Sequence, residues 1–164
     1  MKNDRIQLLQ SMPIFGGIDE EVLVFLLRLA ESRIFGKGQY LFRENEVGQS
    51  MMVLEEGEVL VSRRWEEEDY ILGRLGVGDC VGEMSLLDLF PRSATVMATK
   101  KCITLELSHG VFYQLRQKNV SQFATVQLNI AREVCRRLRA TDEKLFATLV
   151  SANLIEENYP LSAT

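Results

Sequence analysis

Three rhythms of hydrophobic and polar positions follow one another along the chain. The first thirty residues repeat at helical spacing: Ile6, Leu8, Leu9 and Met12 lead to a break at Pro13, and a second apolar segment runs from Glu20 to about Ala30. Asp19 stands where an N-cap belongs, and Glu20 and Glu21 suit the positive end of a helix. From Arg33 the period drops to two, in the short runs Gln39 to Arg43, Ser50 to Glu55, Glu58 to Arg64 and Tyr70 to Leu75, with glycines at 36, 38, 48, 57, 73, 76 and 78. Two further strands fit Ser93 to Ala98 and Cys102 to Leu107. Short alternating runs punctuated by glycine predict an antiparallel sandwich or roll. In the run from Glu58, Val59 and Val61 fall on one face and Leu60 and Ser62 on the other, as in a strand half buried against a second sheet.

After Leu107 the spacing is helical again, to about Val150, and Ser108 can cap the first of these helices. Beyond Asn119, the positions Val120, Ala124, Gln127, Ala131, Val134, Leu138, Thr141 and Leu145 recur at alternating intervals of four and three. That is a heptad seam, suited to a homodimer through residues 120–145. Phe123, Val126, Leu128 and Ile130 make a second apolar side for packing on the roll. The simpler alternative is one amphipathic helix folded back on its own domain. The remainder, 151–164, reads as a tail.

Composition narrows the function classes. A chain of 164 residues, 46% hydrophobic and 26% charged, with 11 glycines and 3 prolines, fits one folded domain. The longest apolar run, Val22 to Leu27, is far shorter than a membrane span, and no signal-peptide core follows the N-terminus, so no membrane association and a cytoplasmic location are expected. A net charge of −4 argues against nucleic acid as a partner. Cys80, Cys102 and Cys135 form neither a disulfide framework nor a C-x-x-C site, and are expected as reduced, mostly buried thiols. A single histidine, His109, excludes clustered imidazoles around a metal, so neither a metal nor an enzymatic activity is expected. The acids Glu66 to Asp69 after Trp65 lack the spaced ligands of a calcium loop and read as a solvated hairpin tip.

The chemistry-bearing stretch runs from Gly82 to Val96 and joins two strands through a short helical turn. Gly82 permits close backbone approach to a ligand, the turn at Met84, Ser85 and Leu86 offers unpaired N–H groups, and Pro91 fixes the chain before Arg92, whose guanidinium can pair with a phosphate. By themselves these residues fit equally well a loop with Arg92 in a surface salt bridge to Asp88.

The stretch resembles the phosphate-binding cassette of the cyclic nucleotide-binding domain family, shared by catabolite-activator-type regulators, cyclic nucleotide-dependent kinases and gated channels. Gly82-Glu83 is followed by a small and an apolar residue, and Arg92-Ser93-Ala94 precedes a strand, all at the family's spacing. The likeness extends to Leu9 through Phe15, to Glu56-Gly57-Glu58-Val59 and to Leu75-Gly76-Val77-Gly78-Asp79. Cys80-Val81 departs from it, since many members carry an aromatic residue before the Gly-Glu pair; the departure is expected to touch no ligand-binding group.

The resemblance implies a mainly β fold with flanking helices: a double-stranded, jelly-roll-like β-roll over about 33–107, C-terminal helices over about 108–150, and one binding domain over 1–150. It implies that Arg92 neutralises a cyclic phosphate, helped by backbone N–H groups around Gly82, Met84 and Ser85 and by Ser93. Glu83 would accept the ribose 2′-hydroxyl, and Val61, Leu72 and Leu75 would wall the base, although all three also fit plain core. One arginine would leave the extra charge of a 5′-mononucleotide uncompensated. The segment from Arg136 to Lys144 is similar to the catabolite-activator type, which implies that Arg137 steadies Glu83, Thr141 meets the adenine edge and Asp142 arrives from a second subunit; a solvated helix end is the alternative for the last two. These acceptors favour cAMP over cGMP. The expectation is a stand-alone cAMP receptor that signals through its long helix to an effector protein of unknown identity. The alternative is the ligand-sensing fragment of a catabolite-activator-type transcription regulator lacking its DNA-binding domain.

Overall fold

The computed structural model describes residues 2–152, and of residues 2–4 the backbone alone. Helix α1 (Lys2–Ser11), a 3-10 turn (Pro13–Phe15) and α2 (Glu20–Leu29) precede the strands β1 (Glu31–Phe35), β2 (Tyr40–Phe42), β3 (Ser50–Glu56), β4 (Glu58–Trp65), β5 (Glu68–Gly76) and β6 (Cys80–Val81). The short α3 (Glu83–Asp88) separates these from β7 (Thr95–Ala98) and β8 (Cys102–Ser108), and α4 (His109–Lys118) and α5 (Val120–Ser151) close the described chain.

The strands form two four-stranded sheets in the orders β1-β8-β3-β6 and β2-β7-β4-β5, with every pairing antiparallel. Strand β3 has both faces covered over Met51 to Leu54, an apolar stretch rather than the period-two alternation expected there. Its alternate residues Met52 and Leu54 meet Phe42, Val59, Val96 and Cys102 between the sheets. Met51 and Val53 point the other way, into a second core with Leu23, Leu26, Leu115, Val126 and Ile130 of the helices. The period-two expectation for β4 also holds: Val59 is buried and Val61 faces the inner cavity, while Leu60 and Ser62 line the outer face of the sheet. The acids after Trp65 make a hairpin tip, with Glu66 and Glu67 at the turn and Trp65 paired to Glu68.

The helix ends differ in how they are capped. Ser108 Oγ accepts from Val111 N at 3.4 Å and Asn119 Oδ1 from Gln122 N at 3.0 Å. Asp19 occupies the N-cap position of α2, but its side chain makes no capping bond; its own N–H instead donates to Gln122 Oε1 at 2.9 Å. That bond is one of two amide links between the N-terminal segment and α5 among the described residues. The other is buried Asn129, whose Nδ2 donates to the carbonyls of Ile14 at 3.2 Å and Gly16 at 2.8 Å.

Helix α5 corrects the expected seam. Val126, Asn129 and Ile130 are buried on the domain, and Gln127 and Thr141 line cavities of their own chain. Leu128, expected on the domain side, is 51% exposed. The outward stripe is therefore Ala124, Leu128, Ala131, Cys135, Leu138, Asp142 and Leu145, all exposed and again at intervals of four and three. The second row moves by one residue because Gln127 and Val134 are half-buried whereas Leu128 and Cys135 are exposed, and Thr141 lines the cavity described below. No helix of the described residues is long and apolar enough to cross a membrane. Ser151, placed by the sequence in the tail, still belongs to α5, and 153–164 lie outside the described residues.

Candidate functional site

A cavity of about 330 Å³ opens between the second sheet, the segment 81–94 and one face of α5. Eleven of the twelve residues singled out in the sequence line it: Gly82, Glu83, Met84, Ser85, Arg92 and Ser93 from the cassette, Val61, Leu72 and Leu75 from β4 and β5, and Arg137 and Thr141 from α5. Asp142 does not line its own chain's cavity and is exposed.

Arg92 is 5% exposed. Its Nη1 donates to the Gly82 carbonyl at 2.9 Å and its guanidinium lies over the Phe42 ring, 4.3 Å from the centroid. Glycines make the room for it. Gly82 adopts φ 81° as the N-cap of α3, and a Cβ on either Gly82 or Gly48 would overlap the guanidinium. The loop before β3 holds the backbone of Arg92 in place, since Arg92 N donates to Glu46 O at 2.8 Å and Asn45 N to Arg92 O at 2.9 Å. Burial pushes the guanidinium below its usual pKa, against the pull of Glu106, Glu46 and Glu83, and it remains a cation. The salt bridge to Asp88 does not form: Asp88 Oδ1 accepts from Phe90 N, and among the described residues no carboxylate pairs with Arg92.

Glu83 is 4% exposed, with Oε1 accepting from Arg137 Nη1 at 3.1 Å and Oε2 buried without a partner. Burial raises its carboxyl above the usual value, and Arg137 offsets part of that effect. Arg137 is less deeply buried, so although burial opposes its charge, Glu83 and Glu133 more than compensate and its pKa rises. The same guanidinium donates from Nη2 to Cys80 O at 2.7 Å and from Nε to Glu133 Oε1 at 2.9 Å. The Cys80-Val81 pair therefore does not stand apart from the site as expected: Cys80 supplies an acceptor to Arg137, and Val81 lines the cavity.

Five lining residues lie outside the twelve expected site residues: Phe42, Arg63, Val81, Ala94 and Val96. The inward period-two positions of β2 and β7 could have found Phe42 and Val96. Ser93 Oγ contacts Met84 Sδ at 3.6 Å, and Thr141 Oγ1 donates to Arg137 O at 2.9 Å. Arrangements of this kind, a buried cation beside a buried carboxylate with an apolar wall, suit a ligand that carries one anionic group, a hydroxyl and a flat apolar body.

Comparison with known proteins agrees with this geometry. The family model for the cyclic nucleotide-binding domain matches residues 32–119. The cyclic AMP receptor protein of Thermus thermophilus is 29% identical over 138 residues, which are 84% of this chain and 62% of that one. A cAMP-dependent protein kinase regulatory subunit of Eremothecium gossypii is 33% identical over 65% of this chain and 23% of its own. The chain thus spans less than two thirds of the length of these curated relatives. Among solved structures, the Thermus thermophilus catabolite activator protein superposes with a TM-score of 0.73 at 29% identity, over 83% of this chain and 62% of that one. A cyclic nucleotide-binding domain from Methylobacillus flagellatus shares the fold, with a TM-score of 0.79 at 22% identity over 87% and 81% of the two chains. The cassette, the roll and the family match over residues 32–119 together make this chain a member of the cyclic nucleotide-binding domain family.

Proposed function

We propose that the protein is a non-enzymatic receptor for cAMP. The observation that carries this reading is Arg92, a buried guanidinium in the cavity wall that forms no salt bridge with a carboxylate among the described residues. A buried cation is costly unless an anion joins it, and a cyclic phosphate brings one negative charge. Glu83, with Oε2 unpartnered, suits the ribose 2′-hydroxyl as donor. Thr141 spends its hydroxyl proton on Arg137 O, so it can offer a base only lone pairs. An acceptor suits the amino group of adenine and opposes the carbonyl of guanine, which favours cAMP over cGMP.

The outward stripe of α5 supports a homodimer in which two such helices pair, with Asp142 of each reaching toward the other subunit's cavity. Occupancy would then pass along α5 to an effector protein.

Thermal unfolding with added nucleotide tests the receptor. Ligand at 100 times its dissociation constant adds about 2.7 kcal/mol, or about 5–10 °C for a domain of this size. We expect cAMP to give such a shift and Arg92→Ala to remove it. No shift with either cyclic nucleotide at millimolar concentration overturns the reading, and a monomer at all concentrations in analytical ultracentrifugation removes the dimer.

A further inference from the structure

Arg63 lines the cavity two residues beyond Val61, and no motif marks it. Its place is the cassette end. Strand β4 meets β7 through Val61↔Val96 and Ser62↔Thr95, so the next position along β4 lies beside Ala94 and Ser93. The side chain is 60% exposed, and its Nε donates to Glu44 Oε1 at 3.0 Å.

Glu44 is fixed from three sides. Its Oε2 accepts from Arg64 N at 3.1 Å, its own N–H donates to Thr95 Oγ1 at 3.0 Å, and the next residue, Asn45, holds the carbonyl of Arg92. The Arg64 N–H is the main influence that keeps this carboxyl below its usual pKa, so Glu44 stays ionised near neutral pH. The carboxylate engages one of the five N–H donors of Arg63, and among the described residues the others have no partner. An exposed ion pair of this kind is weak, and exchanging it for another anion costs little.

The consequence concerns charge. A site with Arg92 alone balances one negative charge and leaves the second charge of a linear nucleotide uncompensated. Arg137 does not help, because Glu83 and Glu133 already occupy it. Arg63 is the pocket-lining cation able to move.

Resting on the reading of the cavity as a cyclic nucleotide site, we propose that Arg63 is a second phosphate-side cation. It leaves Glu44 to meet a phosphate oxygen and lets the cavity take purine nucleoside 5′-monophosphates as well as cyclic ones.

Calorimetric titration of the wild type, Arg63→Ala, Glu44→Gln and the double variant with cAMP and with 5′-AMP tests this. The wild type is expected to bind both. Arg63→Ala should weaken 5′-AMP by about tenfold or more and cAMP by no more than about threefold, because a charge-assisted contact is lost mainly from the dianion. Glu44→Gln should tighten 5′-AMP in the wild-type background and have no effect once Arg63 is gone. Three results overturn the proposal while leaving the cyclic nucleotide reading intact: cAMP binding without any 5′-AMP binding, equal losses for the two ligands in Arg63→Ala, or a lower melting temperature of that variant with both affinities unchanged. Failure of the wild type to bind either nucleotide overturns the underlying reading itself.

Discussion

Arg137 Nη1 donates to Glu83 Oε1 at 3.1 Å, across 54 positions of sequence, and so joins α5 to the cassette. The pair sits where burial raises the Glu83 carboxyl above its ordinary value of 4.5. A carboxyl raised on folding binds its proton more tightly folded than unfolded, so ionising it removes stability as pH climbs from the ordinary value through the raised one. Ligand binding should run the other way, since the ionised form accepts a ribose hydroxyl. Affinity for cAMP is expected to fall on acidification through a window above pH 4.5, and Glu83→Gln should flatten that step. A wild-type affinity constant down to pH 4.5 would dismiss the role given to Glu83.

Gly48 reads in the sequence as loop punctuation, yet its Cα lies against the Arg92 guanidinium. Its backbone is not in the left-handed region, so steric overlap with Arg92 is the main effect of a methyl group there. Gly48→Ala should weaken cAMP by about tenfold or more, equivalent to about 1.4 kcal/mol, with the circular dichroism spectrum unchanged. Retained affinity would show that Arg92 can shift without loss.

Asn129→Ala leaves the carbonyls of Ile14 and Gly16 without their donor. Buried unsatisfied carbonyls cost about 1–3 kcal/mol, which is about 5 °C in melting temperature for a domain of this length. Asn129→Asp, which cannot donate, should be no better. Chemical denaturation of both variants checks this.

The thiols separate sharply. Burial, reinforced by Glu83, pushes the Cys80 thiol up to about 12, so it should resist alkylation in the native state. Cys135 is exposed on the outward stripe of α5. A mild oxidant should yield a covalent dimer on a non-reducing gel, and Cys135→Ser should abolish that band. Monomer alone after oxidation argues against two α5 helices pairing at this register.

How much of this was legible beforehand depends on the kind of signal. The cassette was readable through its resemblance to a known family, since Gly82, Glu83 and Arg92 by themselves fit a plain loop, and the cavity gathers the three residues. Strand β3 was readable as a strand, but the period-two reading of Ser50 to Glu55 did not foresee that Met51 to Leu54 are buried on both faces. Gly48 and Arg63 were not readable. Each acts through a neighbour brought in by sheet register, and nothing local marks a glycine that clears space for a distant guanidinium. The α5 seam was half readable: the rows at Ala124 and Leu138 follow from periodicity, but whether Gln127 or Leu128 completes the stripe depends on how the domain turns the helix.

Asn129 has a mechanical consequence. It and Ile130 fasten α5 near its first third, while Thr148 to Ser151 make no side-chain hydrogen bond beyond their own helix among the described residues. At a rise of about 1.5 Å per residue, Arg137 stands about 10 Å and Ser151 about 31 Å from Ile130 along the axis. In the proposed receptor α5 would act as a lever with its fulcrum at Asn129 and Ile130 and its effort point at Arg137, so that a displacement of about 1 Å beside the cassette would become about 3 Å at Ser151.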